Sequence, residues 1–233
     1  MSLTMTIPAA PIEPDSSVYE DWISHCFDHP VDDNGWNDWA WSDAALAWQL
    51  PASTTLACLR RLFNTSSDSL RRFSDEQLRN GFDYLLMSSA DIYTLKDPSL
   101  PEADRLTCVR ALSNLFSGIF SERCTDAPCR NSKEEEHSVL NSVCYMWFDI
   151  MPIHATFGAE SKRYEVVMFD VLEAVLALDS LACQEAALHG LGHWADPDNF
   201  DRIEQIVAAY LDRISADHVL RAYARPAAFG SLG

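Results

Sequence analysis

The chain has 233 residues, 48% of them hydrophobic and 11% aromatic, which excludes a disordered segment and allows one domain that buries about 70% of its unfolded-state surface. Asp and Glu outnumber Lys and Arg by 35 to 17, a formal net charge of −18 that repels nucleic acid phosphates and anionic lipid headgroups and attracts basic partners. No apolar run approaches the roughly 18 residues of a membrane span, and no basic segment followed by an apolar one opens the chain, so a cytoplasmic protein is expected.

In chain order, residues 1–14 contain Pro8, Pro11 and Pro14 without periodicity and are expected to form an extended tail. A single all-helical domain is expected over 15–225, with a C-terminal tail at 226–233. Val18, Tyr19, Trp22, Ile23, Cys26 and Phe27 share one helical face that ends at Pro30. Leu56, Leu59, Leu62 and Phe63 repeat the pattern. Leu78, Phe82, Leu85 and Leu86 follow a Ser74 to Gln77 capping box, giving a helix over 74–91. Leu106, Val109, Leu112, Phe116 and Ile119 come after Pro101, and Leu140, Val143, Cys144, Trp147 and Phe148 precede Pro152. Tyr164, Val167, Met168, Val171, Leu172 and Val175 form a further helix, as do Ile203, Ile206, Val207, Tyr210 and Leu211. The short links at Asp179-Ser180 and at Asp196-Pro197-Asp198-Asn199 make the helices between 160 and 214 antiparallel neighbours. The total is about nine or ten helices and no strand.

Caps near 160 and 199 are about 40 residues apart, and those near 180 and 217 nearly the same, within the roughly 40–47 residue period of paired-helix repeats. With the segment from Ser180 to Trp194 and the helix after Asn199, the chain resembles a HEAT-like repeat over about residues 53–214. That resemblance implies an α-solenoid of antiparallel helix pairs with a curved recognition surface. A compact irregular helical bundle is the competing architecture, because the units show no strict self-similarity.

The charge is unevenly placed. Arg60 is the first Lys or Arg in the chain, and nine carboxylates from Glu13 to Asp43 precede it, interleaved with Trp22, Trp36, Trp39, Trp41 and Trp48. Trp22 and Trp48 fit apolar helix faces, whereas Trp36, Trp39 and Trp41 cannot all point inward in one register. Asp32, Asp33, Trp36, Asp38, Trp39 and Trp41 are therefore expected to bind a partner. Asn141, Tyr145 and Asp149 recur every four residues as a second polar stripe that suits a groove lining.

Glu185, His189, His193 and Asp196 also share one helix face, and such a row offers ligands to a divalent metal. Gly190 stands where a zinc hydrolase signature needs Glu, so the row reads more simply as a polar face, and no metal or other cofactor is expected. Gly81, Gly190 and Gly192 inside helices point to close approach by neighbouring helices. Seven scattered cysteines fit reduced, mostly buried thiols. Cys124, Cys129 and His137 lack the second ligand pair of a structural zinc site. A calcium loop at 30–41 fails because Pro30 and Trp41 fall at ligand positions. Neither a nucleophile elbow nor a phosphate loop is present. These observations favour a non-enzymatic protein that binds a basic protein, for example as an immunity-type inhibitor. A metal-dependent enzyme or sensor built on the 180–195 helix is the alternative.

Overall fold

The computed structural model describes residues 13–129, 138–153 and 159–230; among them every regular element is helical and none is a strand. Helix α1 (Ser16–Phe27) starts where the Asp15 carboxylate accepts the Ser17 N–H at 2.8 Å, and it buries Tyr19, Trp22, Ile23, Cys26 and Phe27, as its periodicity requires. A 3-10 turn (Trp39–Trp41) leads to α2 (Asp43–Ala47), α3 (Ala52–Ser69) and α4 (Asp75–Asp83). The capping box at α4 is complete: the Gln77 N–H donates to Ser74 Oγ at 3.2 Å, and the Ser74 N–H donates to Gln77 Oε1 at 3.1 Å.

The helix expected to run to 91 instead widens into a π turn at Tyr84–Ser88, and a 3-10 helix follows at Asp91–Lys96. Tyr84, Leu85 and Leu86, within that π turn, are all buried. The segment after Pro101 is similarly interrupted, as α5 (Glu102–Arg110), α6 (Leu112–Leu115), a π turn (Phe116–Phe120) and α7 (Ser121–Arg123). Then come α8 (Val139–Ile150), α9 (Ala159–Leu176), α10 (Leu181–Trp194), α11 (Phe200–Arg213) and α12 (Arg221–Ala228). Helix α12 continues through Pro226 and buries Ala224, Ala227 and Ala228.

α1, α4, α8, α10 and α12 pack in succession, and α3 packs on α5 and α6, which in turn meet α9. Tyr210, near the end of α11, donates to Gln184 Oε1, near the start of α10, at 2.9 Å, so α10 and α11 run antiparallel as their short link requires. One buried apolar cluster extends from Tyr19 to Ala228.

Glycines set the closest contacts. A Cβ on Gly190 would meet Leu172 and Phe148 side chains at 2.9 Å, one on Gly192 would run into the Ala227 carbonyl oxygen, and one on Gly81 would run into the Phe27 ring. Neighbouring helices therefore occupy the space, in accord with the sequence reading. Among the described residues no helix is long and apolar enough to cross a membrane.

Candidate functional site

Two surfaces gather the residues singled out by sequence. The first is the loop between α1 and α2. Asp32 organises it: its Oδ1 accepts the N–H groups of Asn34 and Trp36, each at 2.9 Å, and Gly35 supplies the left-handed φ of 76° that closes the turn. The backbone N–H of Trp36, then that of Asn34, hold the Asp32 carboxyl below the usual carboxylate range. Asp28, Asp32, Asp33, Asp38 and Asp43 are all exposed, and among the described residues none of the five is in a salt bridge.

Trp36 and Trp41 stand out at 55% and 62% exposure, whereas Trp39 is half-buried, stacked on His29 at 3.5 Å and packed against His25 and Tyr84. Trp48 is half-buried against the core, and Trp22 lies fully within it. The Arg79 guanidinium sits 3.6 Å over the Trp36 ring, which shows how that indole receives a cation. His29, Asp32, Trp36, Asp38 and Trp39 line a groove of about 520 Å³. Asp33 and Trp41 lie outside its wall.

The second surface is a notch where α8, α10 and α12 meet, and here the expected groupings are redistributed. Asn141, expected on a groove, is 1% exposed; its Nδ2 donates to the carbonyls of Thr125 and Ala127, and its Oδ1 accepts the Thr125 N–H. It is a latch for the 125–127 turn. Glu185, expected in a polar stripe, is also 1% exposed and accepts the Cys129 N–H. Asp196 lies in the turn after α10, where its Oδ1 accepts the Asp198 N–H at 3.0 Å. The quartet Glu185, His189, His193 and Asp196 is therefore not one constellation.

Asp149 takes its place. His193 Nε2 lies 3.2 Å from Asp149 Oδ1 and 3.1 Å from His189 Nε2. The Tyr145 ring stacks on His189 with centroids 4.4 Å apart, and its hydroxyl lies 3.4 Å from His189 Nδ1 and 3.5 Å from the Tyr223 hydroxyl.

Comparison of this chain with family models, curated proteins and solved structures found no match.

The Asp149, His189, His193 trio was missed because its members belong to two separate stripes. The available signal was the shared four-residue step, Tyr145 to Asp149 and His189 to His193, on two strongly apolar helices that had to pack. All seven cysteines are free thiols. Burial pushes the Cys108 thiol upward and raises that of Cys129, with the Glu185 carboxylate adding to the latter, so neither is an activated nucleophile. His137, weighed with Cys124 and Cys129, lies outside the described residues.

Proposed function

We propose that this chain is a non-enzymatic helical interaction protein that binds a basic protein through the acidic, Trp-bearing face of residues 28–43. The observation that carries the reading is that groove: two carboxylates and two indoles of a cation-free segment converge on it, beside the exposed Trp41. An Arg or Lys side chain entering there meets aromatic faces and carboxylates together, the environment in which Arg79 already rests against Trp36. The net charge of −18 steers such a partner at long range.

The succession of contacts from α1 through α4, α8 and α10 to α12 supports reading the scaffold as a HEAT-like solenoid that presents this face at its N-terminal end. An immunity-type inhibitor, occupying the functional surface of a basic partner in the cytoplasm, is the specific form of the proposal.

An arginine-rich peptide titrated into the full chain at low salt, followed by tryptophan fluorescence, tests it. Binding should weaken steeply with added salt and fall at least about 30-fold in the Trp36→Ala, Trp41→Ala double variant, the scale of an aromatic hot spot. Equal affinity for both proteins, or no binding at low salt, overturns the reading.

A further inference from the structure

We infer that Asp149, His189 and His193 form a divalent transition-metal site of the zinc class, joining α8 to α10. This goes beyond the docking face and does not depend on it. The three residues present one ligand atom each, all within 4.8 Å of one another. Metal–ligand bonds of about 2.0–2.1 Å place neighbouring ligand atoms roughly 3.0–3.4 Å apart, from octahedral to tetrahedral geometry. The His193 Nε2 separations of 3.2 Å to Asp149 Oδ1 and 3.1 Å to His189 Nε2 are two edges of such a polyhedron.

His193 Nε2 faces both Asp149 Oδ1 and His189 Nε2. One cation satisfies all three lone pairs at once. The surroundings also suit a ligating imidazole. With Nε2 on the metal, His189 Nδ1 carries the proton, and the Tyr145 ring stacked on His189 fixes the imidazole plane. Tyr145 in turn meets Tyr223 of α12.

Two imidazoles and one carboxylate select zinc, cobalt or nickel over magnesium or calcium. Three protein ligands leave at least one coordination position for water or a small anion.

The full chain, stripped with chelator and titrated with Co²⁺, provides the test. One equivalent should bind and produce visible d–d absorption without the intense thiolate-to-cobalt band, and Zn²⁺ should displace it. His193→Gln should weaken binding more than about 100-fold, beyond the scale of losing an outer-shell partner, with the far-ultraviolet circular dichroism unchanged. Should His193→Gln not fold, Asp149→Asn carries the same expectation. A thiolate-type spectrum would move the metal to the cysteines and overturn the inference. So would a folded wild-type chain that takes up no Co²⁺, or variants that bind as tightly as the wild type.

Discussion

The loop of residues 28–43 and the notch between α8, α10 and α12 are both polar and aromatic, yet they arrange those groups in opposite senses. In the loop, five carboxylates point to solvent from one continuous stretch of chain, held by backbone turns and left without ion pairs. In the notch, Asp149, His189 and His193 come from two helices and turn toward each other. Divergent charges act at a distance and on a large partner, because their fields add over the surface. Convergent ones act on something small enough to touch all of them. Polar residues of similar type thus serve different purposes according to whether the fold spreads or gathers them.

The sharpest way to break this contrast is at Glu185, which belongs to the notch by sequence and to the core by structure. Replacing it with Ala removes a buried acceptor from the Cys129 N–H and should cost about 3 kcal/mol in urea unfolding. Cobalt affinity should stay within about two-fold, since metal-ligand distances do not involve this carboxylate. A loss of cobalt binding as large as that of His193→Gln would return Glu185 to the site and erase the contrast between the two regions.

Gly192→Ala separates the two regions by stability. The new methyl would run into the Ala227 carbonyl oxygen and stand 3.3 Å from the Gly230 nitrogen, and backbone atoms cannot step aside as a side-chain tip can. Overpacking of about 3 kcal/mol, offset by the roughly 1 kcal/mol better helix propensity of alanine, leaves a loss of about 2 kcal/mol. Hydrogen exchange should quicken in α12 and leave the amides of α1 and α4 unchanged. Peptide binding at the loop should not alter. Uniform loosening of the whole chain would show that the regions are coupled more tightly than their packing implies.

Sequence made the loop legible because everything in it is contiguous: the turn residues, the missing cations and the surplus of Trp are read along one line. It also placed most helices, since Tyr19, Trp22 and Phe27, or Ile203, Val207 and Tyr210, follow the helical period without exception. The notch was hidden because it depends on how α8 crosses α10, which Gly190 decides by letting Phe148 and Leu172 press in. Asn141 and Glu185 misled for a related reason. Both are polar residues at regular spacing, yet each is drawn inward by the 125–129 turn, a partner 14 residues or more away in sequence whose position periodicity cannot supply.

The smallest effect comes from the one carboxyl near the loop that does not follow its rule. Asp83 lies one turn beyond Arg79 on α4, and burial lifts its carboxyl from 3.8 to about 6, with Arg79 pulling the other way. A folded-state value above the unfolded one means that the folded chain holds this proton more tightly. The resulting stabilisation is complete below about pH 4 and is lost as pH rises through about 6, so at neutral pH the charged form is a burden. Asp83→Asn should therefore raise stability by about 1–2 kcal/mol near pH 7, less than the full conversion of the shift because the group is partly exposed, and change nothing near pH 4. Asp32→Asn should act with the opposite sign, since the hydrogen bonds that lower its carboxyl stabilise the fold above about pH 4 and fade as the pH falls. Urea unfolding of both variants across that range compares them directly. If Asp83→Asn lost stability at neutral pH, Asp83 would be ion-paired in the folded chain, and its contrast with the exposed carboxylates of the loop would fail.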